Sequence, residues 1–177
     1  SDSTNQFFFT ENSIKYSYYF YPEIIKFMNN DKIKNIKNAI LYIDQSFFDD
    51  FETKRHKGEN DFYLAELIRN DSVEEFISYV NRKNIPIKWA TIKSSIFETN
   101  SFLIGKEPTL IEYATFYGSI QIFQYLKYNK VPLDPSLWIY AIHSKNSELI
   151  YLLEEYQVTP EDKTYVKCFI ESVKCHH

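Results

Sequence analysis

Glycine is almost missing from this chain: 3 in 177 residues, beside a single methionine and 2 cysteines. So little glycine argues against a fold of many tight hairpins or of glycine-rich phosphate loops, which need backbone at positive φ or free of a Cβ. Cys168 and Cys175 lie close together near the last residue, so they give no disulfide framework and suit a reducing compartment. A basic surplus is also missing. Twenty Lys and Arg against 24 Asp and Glu leave a formal charge of −4, which argues against a nucleic-acid partner, because phosphate neutralisation needs a basic face. No apolar run approaches the roughly 18 residues that span a bilayer, and Phe7-Phe8-Phe9 is too short and lacks the basic flank of a signal peptide. The expectation is a cytoplasmic protein that binds neither membrane nor nucleic acid.

What the chain has in excess is aromatic carbon: 15 Tyr, 15 Phe and 2 Trp, 18% of the residues. With 44% hydrophobic and 25% charged residues there is material for one sizeable core. The periodicity is helical. Ile33, Ile36, Ile40, Ile43 and Phe47 fall three or four apart and make one apolar stripe, with Asp31 as N-cap. Pro22 fits the first turn of a short helix through Phe27, and the charged stretch 49–61 reads as an exposed loop.

From about Phe62 the sequence repeats. Thr109-Leu-Ile-Glu-Tyr-Ala114 has a counterpart in Ser136-Leu-Trp-Ile-Tyr-Ala141, an offset of 27 residues from 109 to 136. The same offset carries Ile122, Phe123, Leu126 and Val131 onto Leu149, Ile150, Leu153 and Val158. Each unit reads as two short antiparallel helices with a turn at Gly118-Ser119 or its equivalent. A looser copy lies 46 residues upstream, Asn84-Ile-Pro-Ile87 matching Lys130-Val-Pro-Leu133, so that an insertion falls within Lys88–Lys106. A last copy begins near Tyr165, with Ser172 in the place of Ala141, and is incomplete. Units of this size bury their apolar faces only against their neighbours.

These units resemble ankyrin repeats, which run to about 33 residues with a T-P-L-H-x-A opening. Thr109-Leu-Ile-Glu-Tyr-Ala114 keeps the Thr and the Ala but not the Pro or His, and Gly118 stands at the family's inter-helix glycine. In the next unit Ser136, Ala141, Leu149, Ile150 and Leu153 take the same roles, with Lys145 for the glycine. The six or so residues missing from each unit fall at Asp134-Pro135-Ser136, where the family carries a β-hairpin finger; here Asp134 is expected as N-cap and Pro135 as the first helical residue. The aromatic-rich form is similar to an ankyrin-like domain of unknown function abundant in some parasitic protists. The resemblance implies an all-α solenoid of ankyrin-like helix-turn-helix repeats with reduced hairpins over 62–177, capped by helices of 1–61, as one continuous domain. Further ankyrin repeats C-terminal to it in the full-length chain would fit the same resemblance.

Chemistry finds little support. Gly118-Ser119 lacks the G-x-S-x-G turn, and the acids Asp49, Asp50 and Glu52 fit no EF-hand spacing. Cys175-His176-His177 could hold zinc, but paired short spacings such as C-x-x-C are lacking. The reading is therefore no enzyme, no cofactor and no metal. Phe123 and Trp138 sit in core register. In the ankyrin register Tyr113, Phe116, Tyr117 and Tyr140, continued by His143 and Ser144, fall on the exposed side of the first helices, which line a concave surface. They are the candidate contacts to another protein, unless neighbouring helices or the 88–106 insertion cover them. The alternative is a structural segment that caps a longer ankyrin array or associates with itself.

Overall fold

A computed structural model describes residues 18–43, 45, 47–161 and 163–175. Within them the chain is all-helical, ten α-helices and one 3-10 turn, with a lone antiparallel bridge between Thr91 and Thr109. None of these helices is long and apolar enough to cross a membrane. The chain divides into two compact units, Ser1–Asn60 with Ser95–Ile104, and Asp61–Ser94 with Gly105–His177.

In the first unit, α1 (Tyr21–Ile24) carries Pro22 in its first turn, where the absent N–H breaks no helical bond, and leads into a 3-10 turn at Ile25–Phe27. α2 (Asn30–Ile43) is capped two residues earlier than expected: the Asn29 side chain accepts from Lys32 N at 3.0 Å, and Asp31 sits in the first turn instead. Its stripe buries Ile40 beside Phe47, with Ile36 packed against them; the side chain of Ile43 lies outside the described residues. The stretch expected as a loop at 49–61 instead contains α3 (Phe51–Lys57). Phe51 accounts for this, since it turns inward onto Ile40, Phe47 and Phe97 and leaves the charged residues as the outer face of a helix. The rings of Phe47, Phe51 and Phe97 meet at centroid distances of 5.2–6.2 Å. Gly58 ends α3 at φ 66°, where a Cβ would come within 2.6 Å of Thr99 Oγ1. Thr99 donates to the Gly58 carbonyl from both N and Oγ1, at 3.0 and 2.8 Å.

The second unit is built from helices that follow one another closely: α4 (Tyr63–Arg69), α5 (Val73–Arg82), α6 (Leu110–Tyr117), α7 (Ile120–Tyr128), α8 (Leu137–Ser144), α9 (Ser147–Glu155) and α10 (Val166–Lys174). α4, α6, α8 and α10 pack side by side in that order, and α5, α7 and α9 each pack on the helix before them. Ala65, Ala114 and Ala141 are buried where first helices need a small side chain for close approach, and Phe123 and Trp138 are buried as expected.

The sequence offsets recur in the backbone. Ile85 N donates to Val80 O, Val131 N to Leu126 O and Val158 N to Leu153 O, at 2.9–3.1 Å, closing α5, α7 and α9 identically. The residue before each donor, Asn84, Lys130 or Gln157, takes a left-handed φ of 51–58°. Polar residues thus occupy positions that glycine usually fills, which is how a chain with so few glycines ends its helices. Between the second and third pairs, Asp134 does not cap α8. Pro135 and Ser136 lie in i→i+3 turns that precede Leu137, and the Ser136 hydroxyl donates to Glu112 Oε1 at 2.8 Å. The base of the 88–106 segment is closed by Ile92 N to Pro108 O at 2.8 Å and Leu110 N to Ala90 O at 3.2 Å, while Ser95–Ile104 belong to the first unit.

Candidate functional site

The row of first helices brings the predicted contact residues together, but not on an open surface. α6 starts at a capping box: Thr109 Oγ1 accepts from Glu112 N at 3.3 Å, and Glu112 Oε2 accepts from Thr109 N at 2.8 Å. That fixes the helix so that Tyr113, Phe116 and Tyr117 point along the seams to α4 and α8. Tyr113 is 1% exposed, Phe116 7% and Tyr140, on α8, 8%. The expectation that these three line an exposed concave face is therefore corrected. α6 has a first helix on each side, and its rings fill the two seams. The Tyr113 hydroxyl is met by Arg69 Nη1 of α4 at 3.0 Å, and Phe116 stacks on the His143 ring of α8 at 5.4 Å. Tyr117 and His143 are half-buried, Tyr117 lying 4.8 Å from the Tyr113 ring with the Arg69 guanidinium 5.9 Å away. Ser144 is committed to the backbone, donating to Ala141 O at 2.6 Å and accepting from Asn146 N at 3.1 Å. Burial, helped by the charge of Glu112, pushes the Tyr140 phenol up to about 12.

At the far seam the row ends in a polar cluster. His143 Nε2 lies 2.9 Å from Glu171 Oε1, and Cys175 Sγ lies 3.4 and 3.7 Å from the two His143 nitrogens. Lys174 Nζ holds the other carboxylate oxygen of Glu171 at 2.9 Å. The Lys174 ammonium, with His143 beside it, keeps the Glu171 carboxyl below its ordinary range despite partial burial. Burial and the Glu171 charge push the Cys175 thiol up. Sequence reasoning weighed Cys175 with His176 and His177, which lie outside the described residues, and missed Glu171 altogether. A signal was present: Glu171 and Cys175 stand four apart, so one helix face carries both. Cys168 does not join them; it is buried beside a cleft near the start of α8 and α10 that Asp134 also lines, and where Glu161 and Lys167 pair with each other at 2.7 Å.

The outer face of α10 is the third feature. Val166, Phe169, Ile170 and Val173 are 49–70% exposed, although they form the apolar side of a strongly amphipathic helix. Compared with models of known protein families, with curated proteins and with solved structures, the chain matches none of them.

Proposed function

We propose that Asp61–Ser94 with Gly105–His177 form a degenerate ankyrin-like solenoid that recognises protein and carries out no reaction of its own, and that it docks its partner on α10. What supports the repeat reading is the shared 27- and 46-residue spacing of sequence and helix-end hydrogen bonds, together with the single row of first helices. The observation that carries the docking face is the exposed apolar row Val166, Phe169, Ile170 and Val173. Its occupant is an amphipathic helix of the α7 and α9 type. α4, α6 and α8 each hold such a helix, and among the described residues α10 has none. With Ser172 in register with Ala141, an offset of 31 residues, Phe169 matches Trp138, which is buried in its own unit. The docking residues are thus the exposed α10 positions Val166, Phe169, Ile170 and Val173.

Appending a copy of Lys145–Val158 after His177 through a short Gly-Ser linker supplies that helix at high effective concentration. The appended chain should melt several degrees higher than the parent and bind less of an apolar dye, and Phe169→Asp should cancel both changes. An appended helix that leaves melting and dye binding where they were would overturn α10 as the docking face.

A further inference from the structure

We propose that His143, Glu171 and Cys175 form a binding site for a zinc ion, which would clamp α10 onto α8. The three side chains offer an imidazole nitrogen, a carboxylate oxygen and a sulfur, all within 4.8 Å of one another. Thiolate with imidazole and carboxylate is a donor set that suits zinc rather than magnesium or calcium, which prefer oxygen alone. Bonds of about 2.0–2.3 Å in a tetrahedron put ligand atoms about 3.3–3.8 Å apart. Cys175 Sγ to His143 Nε2, at 3.7 Å, already has that separation. The 2.9 Å contact between His143 Nε2 and Glu171 Oε1 must open by about half an ångström to admit an ion. A fourth position is left for water or a further ligand.

The backbone places these groups in two ways that favour a cation. Glu171 and Cys175 lie one helical turn apart at the end of α10, the spacing by which helices present two ligands to one metal. His143 lies in the last turn of α8, and Cys175 is the C-cap of α10, so two helix C-termini with their partial negative charge converge on the same point. Lys174 holds Glu171 Oε2 and leaves Oε1 turned toward the imidazole, the orienting role that outer groups play around metal ligands. Lys174 and Lys145 also bring positive charge near Cys175, which weighs against a cation. The balance is that a thiolate and a carboxylate neutralise a dication, and binding releases the thiol proton to solvent. The Phe116 ring stacked on His143 fixes the imidazole plane. The inference stands apart from the docking reading, since the cluster faces α8 and not the open side of α10.

Titration of the apo chain with zinc against a chromophoric chelator should give one ion per chain. Cobalt in its place should give the intense visible bands of a tetrahedral ion and a thiolate charge-transfer band. Cys175→Ala should remove the charge-transfer band, and His143→Gln should weaken binding at least about tenfold, as loss of a metal ligand does. The double variant His176→Ala/His177→Ala should bind as the parent does. Because His143 also packs on Phe116, Glu171→Gln in the last turn of α10 serves as a second ligand variant whose fold is checked by circular dichroism. The site is overturned if the chain binds no zinc, if Cys175→Ala and Glu171→Gln bind it unchanged, or if only the His176/His177 variant loses it.

Discussion

Tyr140 shows what an aromatic side chain does in this molecule and what it is worth. It lies on α8 at the position that a binding surface would use, yet only 8% of it meets solvent. Truncation to Ala should therefore cost about 3–5 kcal/mol, as for other large buried side chains, and cannot serve as a clean test of partner binding. The conservative change is more informative. The Tyr140 hydroxyl ionises near 10 in the unfolded chain and at about 12 in the folded one, because burial opposes the phenolate. Below pH 10 both states keep the proton and stability is complete. Between pH 10 and 12 the unfolded chain releases it first, so stability falls as pH rises, by up to about 2–3 kcal/mol for a difference of this size. Urea unfolding of the parent and of Tyr140→Phe at pH 8 and pH 11 isolates this contribution from the other tyrosines. The gap between the two proteins should shift in favour of Tyr140→Phe at the higher pH; a constant gap would mean that Tyr140 titrates alike in both states.

Among the elements, α7 is held at its start by a residue far upstream in sequence. Its own N-cap, Ser119, makes no capping bond, because its hydroxyl donates to Ile68 O at the end of α4. The cap comes instead from Asp71, whose two oxygens accept from Gln121 N at 3.0 Å and Ile122 N at 2.9 Å. Asp71→Ala should cost about 1–2 kcal/mol in urea unfolding and Asp71→Asn less, since the amide can still accept one bond. The equivalent helix α9 caps itself through Asn146, whose Oδ1 accepts from Glu148 N at 3.0 Å while its Nδ2 donates to Gly118 O at 3.5 Å, so Asn146→Ala should loosen α9 and the turn between α6 and α7. This contrast marks what could be read from the sequence. Local signals were legible: the apolar spacing of α7 and α9, the 27-residue offset and the burial of Phe123 and Trp138. Contacts across seams were not. The caps of α7, the inward turn of Phe51 and the meeting of His143 with Glu171 and Cys175 all join residues 28 to 51 apart or depend on a core that only the folded chain assembles. The exposed-face assignment of Tyr113 and Phe116 failed for the same reason, because helical periodicity says which residues share a face but not how close the next helix comes.

For the molecule as a whole, the consequence of a row of helices is a graded stability. α6 and α8 each have a first helix on both sides and a paired helix behind, whereas among the described residues α10 packs chiefly on α8 and leaves its apolar face in solvent. In a row whose members touch only their neighbours, local opening starts where the fewest interfaces must be broken. Hydrogen exchange followed by mass spectrometry should therefore find the amides of Leu110–Tyr117 and Leu137–Ser144 exchanging slowest and those of Val166–Lys174 fastest. Exchange at one common rate across all of these segments would mean that they open together and would refute neighbour-by-neighbour coupling. Zinc adds a second arm to the same measurement. An ion held by His143, Glu171 and Cys175 would tie α10 to α8, so α10 must release it to open and its exchange should slow as zinc is added. The slowing should spread no further than the α8–α10 seam and should vanish in Cys175→Ala. Protection gained in α4 or α6, which hold none of the three ligands, would place the ion elsewhere.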